Sequence, residues 1–220
     1  MKNRIWTLVA LLPLTLFAQS VNLTEAKTAN DNNDQRLYKI DVVDDAQYLG
    51  KIEILGPLED GPVAFKKFYQ KARSLGANAF LYQSKKDLDN QEIATNTREV
   101  ALYYTPTLPT NANSYIIYND SKTKEVLVNG EKVTIPQNTY YEGQIKEGAN
   151  NYIATKKFLG SRVNLYYKED QPQQNFQVLS GGIRSDKSGV SGGLILKTGD
   201  LIVLERSYAN FLSMFFAKAD

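Results

Sequence analysis

The chain has 220 residues with no cysteine and no histidine, and its 26 Lys and Arg against 24 Asp and Glu leave a formal charge of +2. That inventory excludes disulfides, zinc, copper or haem sites built on thiolate or imidazole, and Ser-His-Asp or Cys-His nucleophiles. Stability has to come from packed apolar surface, and the remaining acid–base groups permit a two-carboxylate glycosidase, a Ser-Lys dyad or a calcium site.

Residues 1–20 read as a secretory leader. Lys2 and Arg4 make a basic start, 5–17 is an apolar run broken only by Thr7, Pro13 and Thr15, and Ala18-Gln19-Ser20 supplies small residues for cleavage. The run is short for a bilayer span, so no transmembrane segment is expected after cleavage, and an exported protein, periplasmic or secreted, is. No cysteine follows to carry a lipid. Losing Lys2 and Arg4 leaves 24 basic residues against 24 acidic, so no cationic field remains and nucleic acid is not an expected partner.

Residues 21–36 hold few large apolar side chains and the run Asn30-Asp31-Asn32-Asn33-Asp34-Gln35, which reads as a flexible tether; its oxygens lack the glycine and distal glutamate of a calcium loop. The stretch 37–105 reads as a strand, helix, strand, strand module. Leu49, Ile52 and Ile54 mark an extended run closed by Gly56-Pro57. Asp60 or Gly61 then caps a helix with Pro62 at its start, and Ala64, Phe65, Phe68, Ala72 and Leu75 form the apolar face. Lys66, Lys67, Gln70, Lys71 and Arg73 take the other face. Gly76 is placed to end the helix, and strands follow at 79–82 and 97–104. Between them the loop 85–96 carries Asp87, Asp89, Asn90 and Glu92, a solvated acidic loop or a calcium candidate without the central glycine. A linker falls at 106–112, between Pro106 and Asn113.

The segment Ala-Arg-Ser-Leu-Gly-Ala-Asn-Ala-Phe at 72–80 resembles the helix-to-strand corner of small modules of the YbjQ and RcsF type, over roughly residues 49–104. The resemblance implies a strand-helix-strand-strand unit on one sheet and a sensing or partner-binding role. Without cysteine, the disulfides of RcsF-like proteins have no counterpart. From the residues themselves, Gly76-Ala77-Asn78-Ala79 reads as tight helix–strand packing.

From Ser114 the periodicity turns to two. Strands are expected at 115–118, 124–128, 132–135, 140–145, 152–155, 163–167, 176–179, 194–197 and 201–205, with Asn129-Gly130 joining two of them through a type I′ turn. Strands so spaced predict a β-sandwich or small barrel over 113–220, closed by a short C-terminal helix, and an α+β protein overall. The Asn-Gly hairpin followed by Thr139-Tyr140-Tyr141 and Glu147-Gly148 is similar to the β-sandwich modules appended to bacterial envelope proteins, which implies binding or spacing.

Candidate sites are few. Ser180-Gly181-Gly182 and Ser191-Gly192-Gly193 fit no phosphate-loop spacing and read as a hairpin connection around Arg184, Asp186 and Lys187. The pairs Tyr103-Tyr104, Tyr140-Tyr141 and Tyr166-Tyr167 should each pack one ring and expose the other, where it can stack on a sugar or line an interface. Phe211, Leu212, Phe215 and Phe216 fall at helical spacing and close the core; the alternative makes Phe211, Met214, Phe215 and Phe216 a partner-docking surface. No catalytic, cofactor or metal residue is assigned. The expected function is a non-enzymatic binding or assembly role in the bacterial cell envelope, with an envelope protein or glycan as partner. The alternatives are a carboxylate-dependent glycoside hydrolase and, if the strands enclose a cavity, a small-lipid carrier.

Overall fold

The computed structural model describes residues 19–84, 96–109, 111–155, 160–179 and 201–219. Residues 1–18 of the leader expected at 1–20, residues 85–95 of the acidic loop expected at 85–96, and the strand expected at 194–197 with the glycine-rich stretch before it lie outside the described residues.

In chain order the first half contains β1 (Ser20–Ala26), β2 (Tyr38–Lys39), β3 (Gln47–Leu55), α1 (Gly61–Ser74), β4 (Ala79–Tyr82) and β5 (Thr97–Tyr104). Its five strands form one sheet in the order β1-β3-β5-β4-β2. The helix starts where expected because the Asp60 carboxylate accepts from Val63 N at 3.1 Å, worth about 1 kcal/mol. Its apolar face, Ala64, Phe65, Phe68 and Ala72, packs on Leu49, Ile52, Ile54, Val100 and Leu102 of the sheet. Each of the two phenylalanines is almost wholly buried, contributing about 1.5–3 kcal/mol apiece.

Residues 21–36 are not the expected tether. Val21 and Leu23 turn to the core opposite Ile54 and Ile52, which makes β1 the edge strand of the sheet. The Asn/Asp run is fastened to the end of α1: Asn30 N donates to Leu75 O at 2.9 Å, Asn32 Nδ2 to Gly76 O at 3.2 Å, and Arg73 donates to the carbonyls of Asn32 and Ala77. Gly76 terminates the helix with φ +73°, and a Cβ there would fall on the Asn30 carbonyl oxygen, so both backbone and space demand glycine.

The second half contains β6 (Ser114–Asn119), β7 (Lys124–Val128), β8 (Glu131–Ile135), β9 (Thr139–Gln144), β10 (Asn151–Thr155), β11 (Arg162–Leu165), β12 (Gln174–Val178), β13 (Leu201–Val203), α2 (Arg206–Leu212) and β14 (Ala217–Lys218). A middle sheet, β13-β12-β6-β9-β14, faces an outer sheet, β11-β10-β7-β8. The type I′ turn is present, with Asn129 and Gly130 at φ 54° and 93°. Ile117, Val126, Ile135, Ile153, Phe176 and Val178 fill the space between the sheets. The class is α+β and the second half is a sandwich; no sheet closes into a barrel among the described residues.

The middle sheet is covered on both faces. Tyr115, Ile117 and Tyr141 point to the outer sheet, whereas Ile116, Tyr118 and Tyr140 join the core built on α1 and the first sheet. The stacking is thus sheet, helices, sheet, sheet. α2 lies at the junction. The Glu205 carboxylate caps it by accepting from Ser207 N and Tyr208 N, both at 2.9 Å. Phe211 reaches across to Phe65 and Phe68 with centroids 5.6 and 5.3 Å away.

Candidate binding face

Among the described residues, helices cover one face of the first sheet and no element covers the other, a common arrangement for antiparallel strands. The residues on that open face follow from the β3–β5 register. Tyr48 pairs with Tyr103, Lys51 with Ala101 and Glu53 with Glu99, while their neighbours Ile52, Val100 and Leu102 turn inward.

Tyr48 and Tyr103 meet edge to face with centroids 5.5 Å apart and planes at 64°. The Tyr48 hydroxyl donates to Glu25 Oε2 on β1 at 2.9 Å, and the Lys27 ammonium stands 5.7 Å from the same ring. Burial, helped by the hydrogen bond and the charge of Glu25, pushes the Tyr48 phenol up to about 12. It is therefore a neutral donor at any physiological pH. Farther along, Lys51 Nζ pairs with Glu99 Oε2 at 3.4 Å. These two, with Leu81, Tyr82, Gln83, Thr97 and Ala101, line a shallow cavity of about 220 Å³.

That volume is below the several hundred Å³ that enclose a typical small ligand. Glu53 and Glu99 stand side by side on one face, not on opposite walls of a cleft. Among the described residues no group of three or more acidic side chains gathers to hold a metal, and no helix is long and apolar enough to cross a membrane.

The residues singled out as a docking surface are elsewhere. Phe211 is fully buried, Met214 and Phe216 nearly so, and Phe215 packs partly buried with the Arg98 guanidinium 4.2 Å from its ring. They fill the helical layer, and Arg98 Nε also donates to Met214 O at 3.0 Å. Of the tyrosine pairs, Tyr103 is on the open face and Tyr104 against the core. Tyr140 and Tyr141 both pack, one on each side of the middle sheet, and Tyr166 and Tyr167 are both exposed beyond β11. Tyr48, Glu25 and Lys27 went unmarked in the sequence because only strand pairing brings them to Tyr103.

Comparison with protein-family models, with curated proteins and with solved structures found no match for the chain.

Proposed function

We propose that this is an exported, non-enzymatic binding or assembly protein of the bacterial cell envelope that engages its partner, a protein or glycan, through the open face of the first sheet. The observation that carries the reading is the Tyr48–Tyr103 pair, with the Tyr48 hydroxyl bonded to Glu25, on a sheet face that no described element covers. Paired aromatic rings give a large contact area at little entropic cost, and Lys51, Glu99, Gln83 and Thr97 give the same sheet a polar stretch farther along. The basic-apolar leader at 1–20 supports the address, and the resemblance at 49–104 to envelope modules supports the role.

The experiment is affinity capture from envelope fractions, run in parallel with wild type and a Tyr48→Ala/Tyr103→Ala variant whose folding is checked by circular dichroism. Wild type should retain a discrete protein or glycan that the folded variant loses. Equal recovery by both, or nothing specific with either, rejects the face.

A further inference from the structure

We propose that Asn129 is a site of spontaneous deamidation and isomerisation, and that the fold holds the reaction back by clipping the β7–β8 turn to β10, so that Asn129 converts only when the hairpin opens. Asn129-Gly130 is the one Asn-Gly pair in the 220 residues, and both residues are exposed. Glycine puts no side chain beside the main-chain nitrogen that attacks. In the reaction Gly130 N attacks the Asn129 side-chain Cγ, the N–Cγ bond forms, and the Cγ–Nδ2 bond breaks. Nδ2 leaves as ammonia with the proton that Gly130 N gives up. One water then opens the five-membered succinimide: cleavage of the N–Cγ bond gives aspartate, and cleavage on the main-chain carbonyl side gives isoaspartate, whose backbone runs through Cγ.

The folded turn opposes ring closure. A flat five-membered ring needs Gly130 N eclipsed with the Asn129 Cβ, whereas the type I′ backbone, with φ 54° at Asn129 and ψ of about +30°, holds the two well apart. The side chain is tied down as well. Asn129 Oδ1 accepts from Tyr152 N at 2.8 Å, and Asn129 N donates to Tyr152 O at 3.0 Å, so main chain and side chain are fastened to the same residue of β10. The Tyr152 ring then leans over the turn: a Cβ on Gly130 would stand 3.3 Å from its hydroxyl oxygen. The Arg162 guanidinium lies 3.9 Å from that ring and its Nε donates to Asn164 Oδ1 at 3.1 Å, which backs the ring from β11. The two products differ in what they do to the clip. An aspartate oxygen still accepts from Tyr152 N, but isoaspartate lengthens the turn by one main-chain atom and takes the accepting carbonyl into the backbone. A hairpin that opens and isomerises therefore stays unclipped, and the residue keeps a covalent record of the opening.

The test ages the full chain in mildly alkaline buffer made with oxygen-18 water, folded in one arm and in concentrated urea in the other. Trypsin, cutting after Lys124 and Lys132, releases the peptide 125–132 for mass spectrometry, and isoaspartyl methyltransferase marks the isoaspartate. The unfolded chain should gain label at Asn129 at least about tenfold faster than the folded one. In folded chains that carry isoaspartate, hydrogen exchange at Tyr152 N should be faster than in unconverted chains. Equal rates in the two arms, or no label in urea, overturn the proposal. Unchanged protection of Tyr152 N in the isoaspartyl form overturns the clip.

Discussion

The hydroxyl of Tyr118, in the middle of the middle sheet, donates to the carbonyl of Ala209 in α2 at 2.8 Å, with the ring almost wholly buried. This bond joins the sandwich to the helical layer, and Phe216 completes the contact by standing edge-on to the same ring at 5.5 Å. Removing the hydroxyl tests how much the junction depends on it. Because Ala209 O also accepts from Ser213 N at 3.1 Å, it keeps a partner in Tyr118→Phe. The expected loss is about 0.5–1.5 kcal/mol, read as a lower urea midpoint at unchanged slope.

Alkali should unfold the protein through its tyrosines. Burial raises the phenol pKa of Tyr115 and Tyr118 well above the ordinary value, and that of Tyr48 to about 12. In the unfolded chain these groups ionise near pH 10, so above that point the unfolded state holds fewer protons. Their contribution to stability is intact below about pH 10 and is lost as pH rises toward the folded values. Thermal midpoints should therefore fall steeply above about pH 10, and phenolate absorbance should show a delayed class that appears with unfolding.

Gly76→Ala should destabilise by more than about 2 kcal/mol, since left-handed backbone costs about 1–2 kcal/mol for alanine and the new methyl meets a fixed carbonyl. Faster hydrogen exchange at Asn30 N, which bonds to Leu75 O, should accompany the loss. Unchanged protection there would show that the Asn/Asp run is not fastened as described.

Phe211→Ala removes a ring shared by α1 and α2 and should cost about 3–5 kcal/mol. Since one core links the first sheet to the middle sheet, both halves should lose structure in a single transition. Two separated transitions would divide the molecule where the sequence alone places its linker.

Lys51→Ala offers the contrast. The ion pair with Glu99 is solvent-exposed on both sides, at 39% and 45% of side-chain area, so the change in stability should stay within about 0.5 kcal/mol. A larger loss would mean that the open face is structural.

Local chemistry was legible in the sequence. A cap at Asp60 or Gly61, of which Asp60 is the one used, Gly76 as terminator, Asn129-Gly130 as turn and the strand at 124–128 all depend on neighbours a few residues away. What failed to show was partnership across distance. β1 carries Val21 and Leu23 at strand spacing, but its polar surroundings concealed the edge it completes against Ile52 and Ile54. Alternation marks Tyr140 and Tyr141 as facing opposite ways without saying that both sides of their sheet are covered. The open face was least visible, because Tyr48 and Tyr103 are far apart in the chain and meet only through register.

Leu37 N donates to Ser207 Oγ and its carbonyl accepts from Asn210 Nδ2, so 170 and 173 residues of chain separate the partners at this seam. The earliest-made part of the described fold consequently has no finished interior until the last-made part arrives. A nascent chain wired this way completes that core only at the end of synthesis, because the loop to be closed spans most of its length.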